Sequence, residues 1–209
     1  MRIFTGLVCT AITATACASL TPETSNAAGQ TVTAEQTEPA IAPPRCDYGA
    51  PHPNAPAELS QFAFLIGDYD ITGHAWTGTG WTPPRPGPHS RWNGWYGLGG
   101  MAIYDEWYSP DPGIDPDAPR GINVRFYDSK TSKWKMMWIA TGAGQVQDLR
   151  AEMRDGKLTM WQVYPDRPDF LADFTVVDED HWYRTGYGKD EQGEWVPQFK
   201  LTATRIPCD

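Results

Sequence analysis

The chain has 209 residues, 40% of them hydrophobic and 21% charged, which is enough apolar material for one packed domain with segments to spare. Its formal net charge is −9 and it contains no run of Lys or Arg, so a phosphate backbone would repel it and nucleic acid is not an expected partner. Ten Trp and nine Tyr are the compositional outlier, and side chains of this kind fill cores, pockets and interfaces.

The chain opens on a targeting pattern. Arg2 precedes an apolar stretch from Ile3 to about Ala16, too short to cross a bilayer as a helix and built like a signal peptide. Residues 1–16 are therefore read as a leader for export. The run Ala14-Thr15-Ala16 before Cys17 resembles a lipoprotein box, with Ala14 where Leu usually stands. On that reading Cys17 carries lipid, and the periplasmic protein touches a membrane through that anchor alone. Cleavage after Ala16 or Ala18 without lipid is the competing reading, and a retained N-terminal helix is a third.

Residues 17–54 are rich in Thr, Ala, Pro, Gln and Glu and nearly lack aromatics. Such a stretch cannot bury enough apolar surface to offset chain entropy, so it is expected to be a flexible tether. Cys46 near its end and Cys208 at the far end of the chain bracket everything between them. In an oxidising compartment two such residues suggest a disulfide; two free thiols are the alternative.

A single domain is expected over residues 55–209. Pro56 followed by Ala57-Glu58-Leu59-Ser60-Gln61-Phe62-Ala63-Phe64-Leu65 reads as a short helix with Leu59, Phe62, Phe64 and Leu65 on one apolar face, ended by Gly67. Beyond it the hydrophobic period changes to two. Ten segments rich in Tyr, Trp, Val, Ile, Phe and Thr follow, at about 68–76, 89–97, 100–108, 120–128, 133–140, 145–153, 157–164, 170–178, 180–187 and 194–205. Asp155-Gly156 is a two-residue hairpin signal, and Thr141 to Gly144 and Asp190 to Gly193 read as longer hairpins. Two proline-rich loops, 82–88 and 110–119, are longer. Consecutive hairpins without crossover helices imply an up-and-down antiparallel sheet. Ten strands leave two aggregation-prone edges unless the sheet closes, so a closed all-β barrel with the short helix as a plug is favoured over a sandwich. A barrel of ten strands has an interior that large side chains, water or a guest must fill.

The segments FLIGDYDITG, GLGGMAIYDEWYSPD, GINVRFYDSKTSKWKMMW and LTATR, in that order, resemble a bacterial family of unknown function with a lipocalin-like barrel in the wider calycin group. The resemblance spans roughly residues 60–206. It implies a ten-stranded barrel with an internal cavity and no established reaction. Gly67-Asp68-Tyr69 stands where lipocalins have Gly-x-Trp, and Arg205 where they have an Arg that packs on that ring. A guanidinium lying on Tyr69 would close one barrel end.

Alternation groups the candidate site residues. Trp134 and Trp138 share a face with Met136 and are expected to point inward. Asp105 shares a face with Ile103 and Trp107. Arg125, on the following strand, is its natural partner, and the family likeness places an Asp and an Arg at these two positions. An inner Asp105–Arg125 pair could orient a ligand's polar group; a purely structural pair, or an Arg125 on the outside, is the competing reading. Arg184 or Tyr183 could enter the cavity from the ninth segment. Trp95, with Trp92 and Tyr96, would stand at a mouth beside the first proline-rich loop, framed by Trp76 and Trp81.

No dinucleotide, phosphate-loop, nucleophile-elbow or zinc-protease motif occurs, and the four His lack ligand spacing. No metal or cofactor is expected; His181 is the sole residue weighed as a haem ligand. Three functions remain. The first is a barrel holding a small hydrophobic or aromatic molecule. The second is a cofactor-free lyase, isomerase or cyclase with Asp105 as base and Arg125 or Tyr104 stabilising negative charge. The third is a structural envelope lipoprotein with a filled barrel.

Overall fold

The structure is a computed structural model that describes residues 42–208. The leader, Cys17 and the first part of the expected tether lie outside these residues. Ten antiparallel strands close into one barrel: β1 (Gly67–Ala75), β2 (Ser90–Gly97), β3 (Ala102–Tyr108), β4 (Arg120–Asp128), β5 (Lys133–Ala140), β6 (Gln145–Arg154), β7 (Lys157–Tyr164), β8 (Leu171–Val176), β9 (His181–Lys189) and β10 (Trp195–Arg205). Each strand pairs with the next, and β1 pairs with β10 from Tyr69↔Arg205 to Ala75↔Phe199, so no edge remains. The turn chemistry explains the connections. Asp155 and Gly156 both take positive φ, 48° and 78°, as a two-residue hairpin requires.

Inside and outside alternate along every strand. The inner rungs run Ile103↔Arg125↔Met136↔Leu149↔Gln162 and Asp105↔Asn123↔Trp138↔Gln147. Two irregularities re-aim side chains, one in β7, where Val163 is skipped opposite Asp148 and Leu149, the other in β10 between Pro197 and Phe199. The second skips Gln198, so Phe199 faces Gly186 and turns inward.

The segment Ala57–Leu65 is a 3-10 helix. Leu59, Phe62 and Leu65 are its buried residues, and their spacing of three is the period of a 3-10 helix, which puts them on one face. Burying each is worth about 1.5–3 kcal/mol. Phe62 packs edge-on against Trp134 at 4.7 Å and against Phe174 at 5.5 Å, and Gln61 Oε1 accepts a hydrogen bond from Trp134 Nε1 at 2.9 Å. The helix thus stoppers the end where β1 begins and β10 ends. Its last turn lies against Gly94, where a β-carbon would fall 2.0 Å from the Leu65 carbonyl oxygen. Gly67 does not merely end the helix but starts β1. Beside it the Arg205 guanidinium lies 4.7 Å from the centre of the Tyr69 ring and donates to the Ile66 carbonyl at 3.0 Å.

Residues 42–54 are not free tether. Their backbone is tied to the barrel wall by Ala42 N–H to Asp111 Oδ1, Arg45 N–H to Asp68 Oδ2, His52 N–H to the Gly100 carbonyl and Tyr96 N–H to the Tyr48 carbonyl. Composition suggested a loose chain; what holds it is a set of buried acceptors on the outer wall. Asp68 is the centre of that set, accepting also from Tyr48, Arg91 and Asn93. A disulfide joins Cys46 to Cys208 across 162 positions of sequence, with Cα atoms 5.6 Å apart.

Candidate functional site

The open end of the barrel holds a cavity of about 330 Å³. β2 supplies Trp92, β3 Trp107, β4 Asn123 and β5 Trp138. Gln147 and Leu149 come from β6, Met160 from β7, Arg184 from β9 and Phe199 and Leu201 from β10; Phe170 closes the ring from the loop before β8. Most belong to the half of their strand far from the plug, with Met160, Arg184 and Leu201 just on the plug side of the middle, and closure of the sheet brings them to one place. Trp107 and Trp138 meet at 6.4 Å with planes inclined by 46°, a wedge and not a stack.

Beneath the cavity lies a polar floor. Asp105 and Arg125 are fully buried and paired through Arg125 Nε to Asp105 Oδ2 and Arg125 Nη2 to Asp105 Oδ1 at 3.2 Å. Asn123 Nδ2 donates to Asp105 Oδ1 at 2.9 Å, while Arg125 Nη1 lies against Met136 Sδ and the guanidinium sits 4.7 Å from the Phe62 ring centre. Each nitrogen of the Arg125 guanidinium and both oxygens of Asp105 therefore have a partner inside the protein.

Arg184 is different. Among the described residues its guanidinium has no hydrogen-bond or ion-pair partner, and its Nε is buried. It lies between two rings, 5.5 Å from the Phe199 centre and 6.0 Å from that of Trp92. Burial first, then the nearby Arg125 cation, pull its pKa down from 12.5 to about 10, with Asp105 opposing. It stays charged at neutral pH. It is half-buried and lines the cavity. Three further buried polar atoms in the same wall have no partner among the described residues: Trp92 Nε1, Trp107 Nε1 and Asn123 Oδ1.

The structure gathers Trp107, Trp138 and Arg184 from the sequence candidates at the cavity. It places Asp105 and Arg125 under the floor and Trp134 at the plugged end, so these three hold the barrel together and do not line the cavity. Trp95 and Tyr183 are corrections. Both point outward: Trp92 faces in, which sends Trp95 to the outer face, where the Arg45 guanidinium lies 4.4 Å from its ring centre. Tyr183 stands between the inward Trp182 and Arg184, beside outward Lys200. Trp95 is also at the plugged end of β2, away from the mouth. Trp76 and Trp81 do pin the first proline-rich loop, edge to face at 5.0 Å. His181 is exposed and bonded to Asp178 at 2.8 Å. Tyr104 faces outward against Trp95, and Asp105 has no surface open to the cavity, so the constellation drawn for an enzyme with Asp105 as base does not assemble.

Sequence alternation missed the importance of Phe199, Leu201, Leu149 and Phe170. The Phe199-Lys200-Leu201-Thr202-Ala203 alternation was a usable signal for the first two; Phe170 lies in a loop and had none.

Two other concavities lie outside the barrel. One, of about 420 Å³, is an outer groove by Arg45, Trp95, Glu106 and Tyr108. The other, of about 490 Å³, runs under the loop of residues 85–89 at the mouth and shares Trp107, Phe199 and Leu201 with the inner cavity. Those three side chains stand between the cavity and the cleft.

No protein-family model matches the chain, and no curated protein matches it either. Of what the resemblance to the family of unknown function implied, the closed ten-stranded barrel is what the structure shows; no comparison shows the family. Among solved structures, an S-type phycobiliprotein lyase from Guillardia theta is similar, at 13% identity, over 72% of this chain and 93% of that one, with a TM-score of 0.44.

Proposed function

We propose that this protein binds a small hydrophobic or aromatic molecule inside its barrel. The observation that carries the reading is the cavity of about 330 Å³ walled by Trp92, Trp107, Trp138, Phe170 and Phe199 above a sealed floor. Pockets of this kind, largely apolar with a few fixed polar groups, hold small molecules and typically measure roughly 300–1,000 Å³. A filled structural barrel would leave no such space. Carriage is favoured over turnover because the one inner carboxylate, Asp105, is locked in a dry ion pair.

Native mass spectrometry of protein taken from its own source tests the reading. The expected result is an added mass that leaves on denaturation and is lost in Trp138→Ala. A folded protein that carries no guest and fails to bind any aromatic probe would overturn it.

We also infer that the protein works outside the cytoplasm, anchored by lipid at Cys17. The leader at residues 1–16 supports this, and so does the Cys46–Cys208 disulfide, since such bonds persist in oxidising compartments. Membrane fractionation of the wild type and of Cys17→Ser reads it directly.

A further inference from the structure

We infer that the guest carries one anionic group, a carboxylate or an acid of similar shape, that pairs with Arg184; this rests on the reading that the cavity holds a guest. Among the described residues the inward-facing ionisable groups of the cavity and its floor are Asp105, Arg125 and Arg184, two cations and one anion, which leaves one positive charge without a counter-ion there. Arg125 is already matched by Asp105. Arg184 is held by two aromatic faces and, among the described residues, by nothing that accepts a hydrogen bond. Arg184 is half-buried and its buried Nε–H has no acceptor among the described residues, which is unfavourable, and a guanidinium presents a planar fork that fits a carboxylate with two parallel hydrogen bonds.

The same geometry orients the guest. Arg184 lies close enough to the floor for Arg125 and Asp105 both to act on its charge. Leu149, Met160 and Phe170 make much of the remaining wall apolar, and its other polar side chains, Asn123 and Gln147, are uncharged, so Arg184 is the one lining side chain that can pair with an anion. The acid therefore points toward the floor, and the hydrophobic body reaches toward Trp107 and Phe199 at the mouth. An acid of this kind meets the lowered pKa of Arg184 without difficulty, because the guanidinium remains protonated across the physiological range.

The test compares 2-naphthoic acid with 2-naphthalenemethanol, a neutral molecule of the same shape, by calorimetric titration of the full chain at pH 7.4. The acid is expected to bind about 10- to 100-fold more tightly, the scale of a charge-assisted hydrogen bond. Arg184→Gln and Arg184→Met should erase that preference while leaving the affinity for the alcohol within about threefold, and Arg184→Lys should keep much of it. Should the substituted proteins fail to fold, the wild type still decides: the Arg184 Nε–H resonance is expected to shift with the acid and not with the alcohol. Equal affinity for both probes, or a preference that survives Arg184→Gln, overturns the anionic guest and leaves the cavity reading standing. Binding of neither probe to folded protein overturns both.

Discussion

Trp138 lies directly over Gly121, its neighbour across β4 and β5. A β-carbon at Gly121 would fall 1.9 Å from Cη2 of the indole. The absence of a side chain at one position is what allows an aromatic wall at the other, opposite Trp107. Gly121→Ala is expected to push the indole into the cavity and weaken binding of any aromatic probe at least tenfold. Overpacking of this kind should cost about 1–3 kcal/mol of stability. Probe titration together with urea unfolding measures both, and unchanged probe affinity would count against Trp138 as a wall.

The buried Asp105–Arg125 pair predicts a non-additive mutant cycle. Asp105→Leu alone leaves a dry, unmatched guanidinium, and Arg125→Met alone leaves a dry carboxylate; each should lose about 3–5 kcal/mol. The double substitution, which removes both charges, should lose much less than the sum. Denaturant unfolding of the three variants decides it, and simple additivity would mean that the pair is not coupled.

The disulfide closes nearly the whole domain into a loop. By chain entropy a loop of 162 positions stabilises by about 5 kcal/mol, less any strain. Cys46→Ser, Cys208→Ser and the double variant should all lose a similar amount, because any one removes the link. Thermal unfolding with and without reductant checks this. Probe binding to the folded variants should be unaffected, since the cavity lies at the other end of the barrel.

Alkaline pH should loosen the plugged end. Burial pushes the Tyr69 hydroxyl from its ordinary value of 10.0 up to about 12, and that hydroxyl donates to the Phe64 carbonyl at 2.6 Å. The folded state thus favours the neutral phenol. Its contribution is fully present below about pH 10 and falls as pH rises from 10 to 12. Tyr108, also raised to about 12 by burial and by its bond to Glu106, adds to the same limb. Tyr69→Phe should cost about 1 kcal/mol at neutral pH through the lost hydrogen bond. It should also flatten part of the stability loss between pH 10 and 12. An unchanged alkaline limb in that variant would remove Tyr69 as a cause.

Strand number, strand limits to within a few residues and the plug were legible in the chain because their causes are local. Period-two alternation, turn dipeptides and a run of good helix formers each act within about ten residues. The need to bury both edges of a ten-stranded sheet then implied closure. Alternation also sorted side chains into two classes on each strand, but local order does not say which class faces in. That was decided by packing: Trp92 and Trp182 inside force Trp95 and Tyr183 outside. Residues 42–54 looked unstructured by composition, and partners far away in sequence, above all Asp68, hold them. The free cation was invisible for the same reason. Arg184 meets Phe199 through the β9–β10 register, and Trp92 through the closure that seats β1 between β2 and β10. Sequence fixes what each strand can bury, whereas the company a buried charge keeps depends on contacts that exist once the barrel has closed.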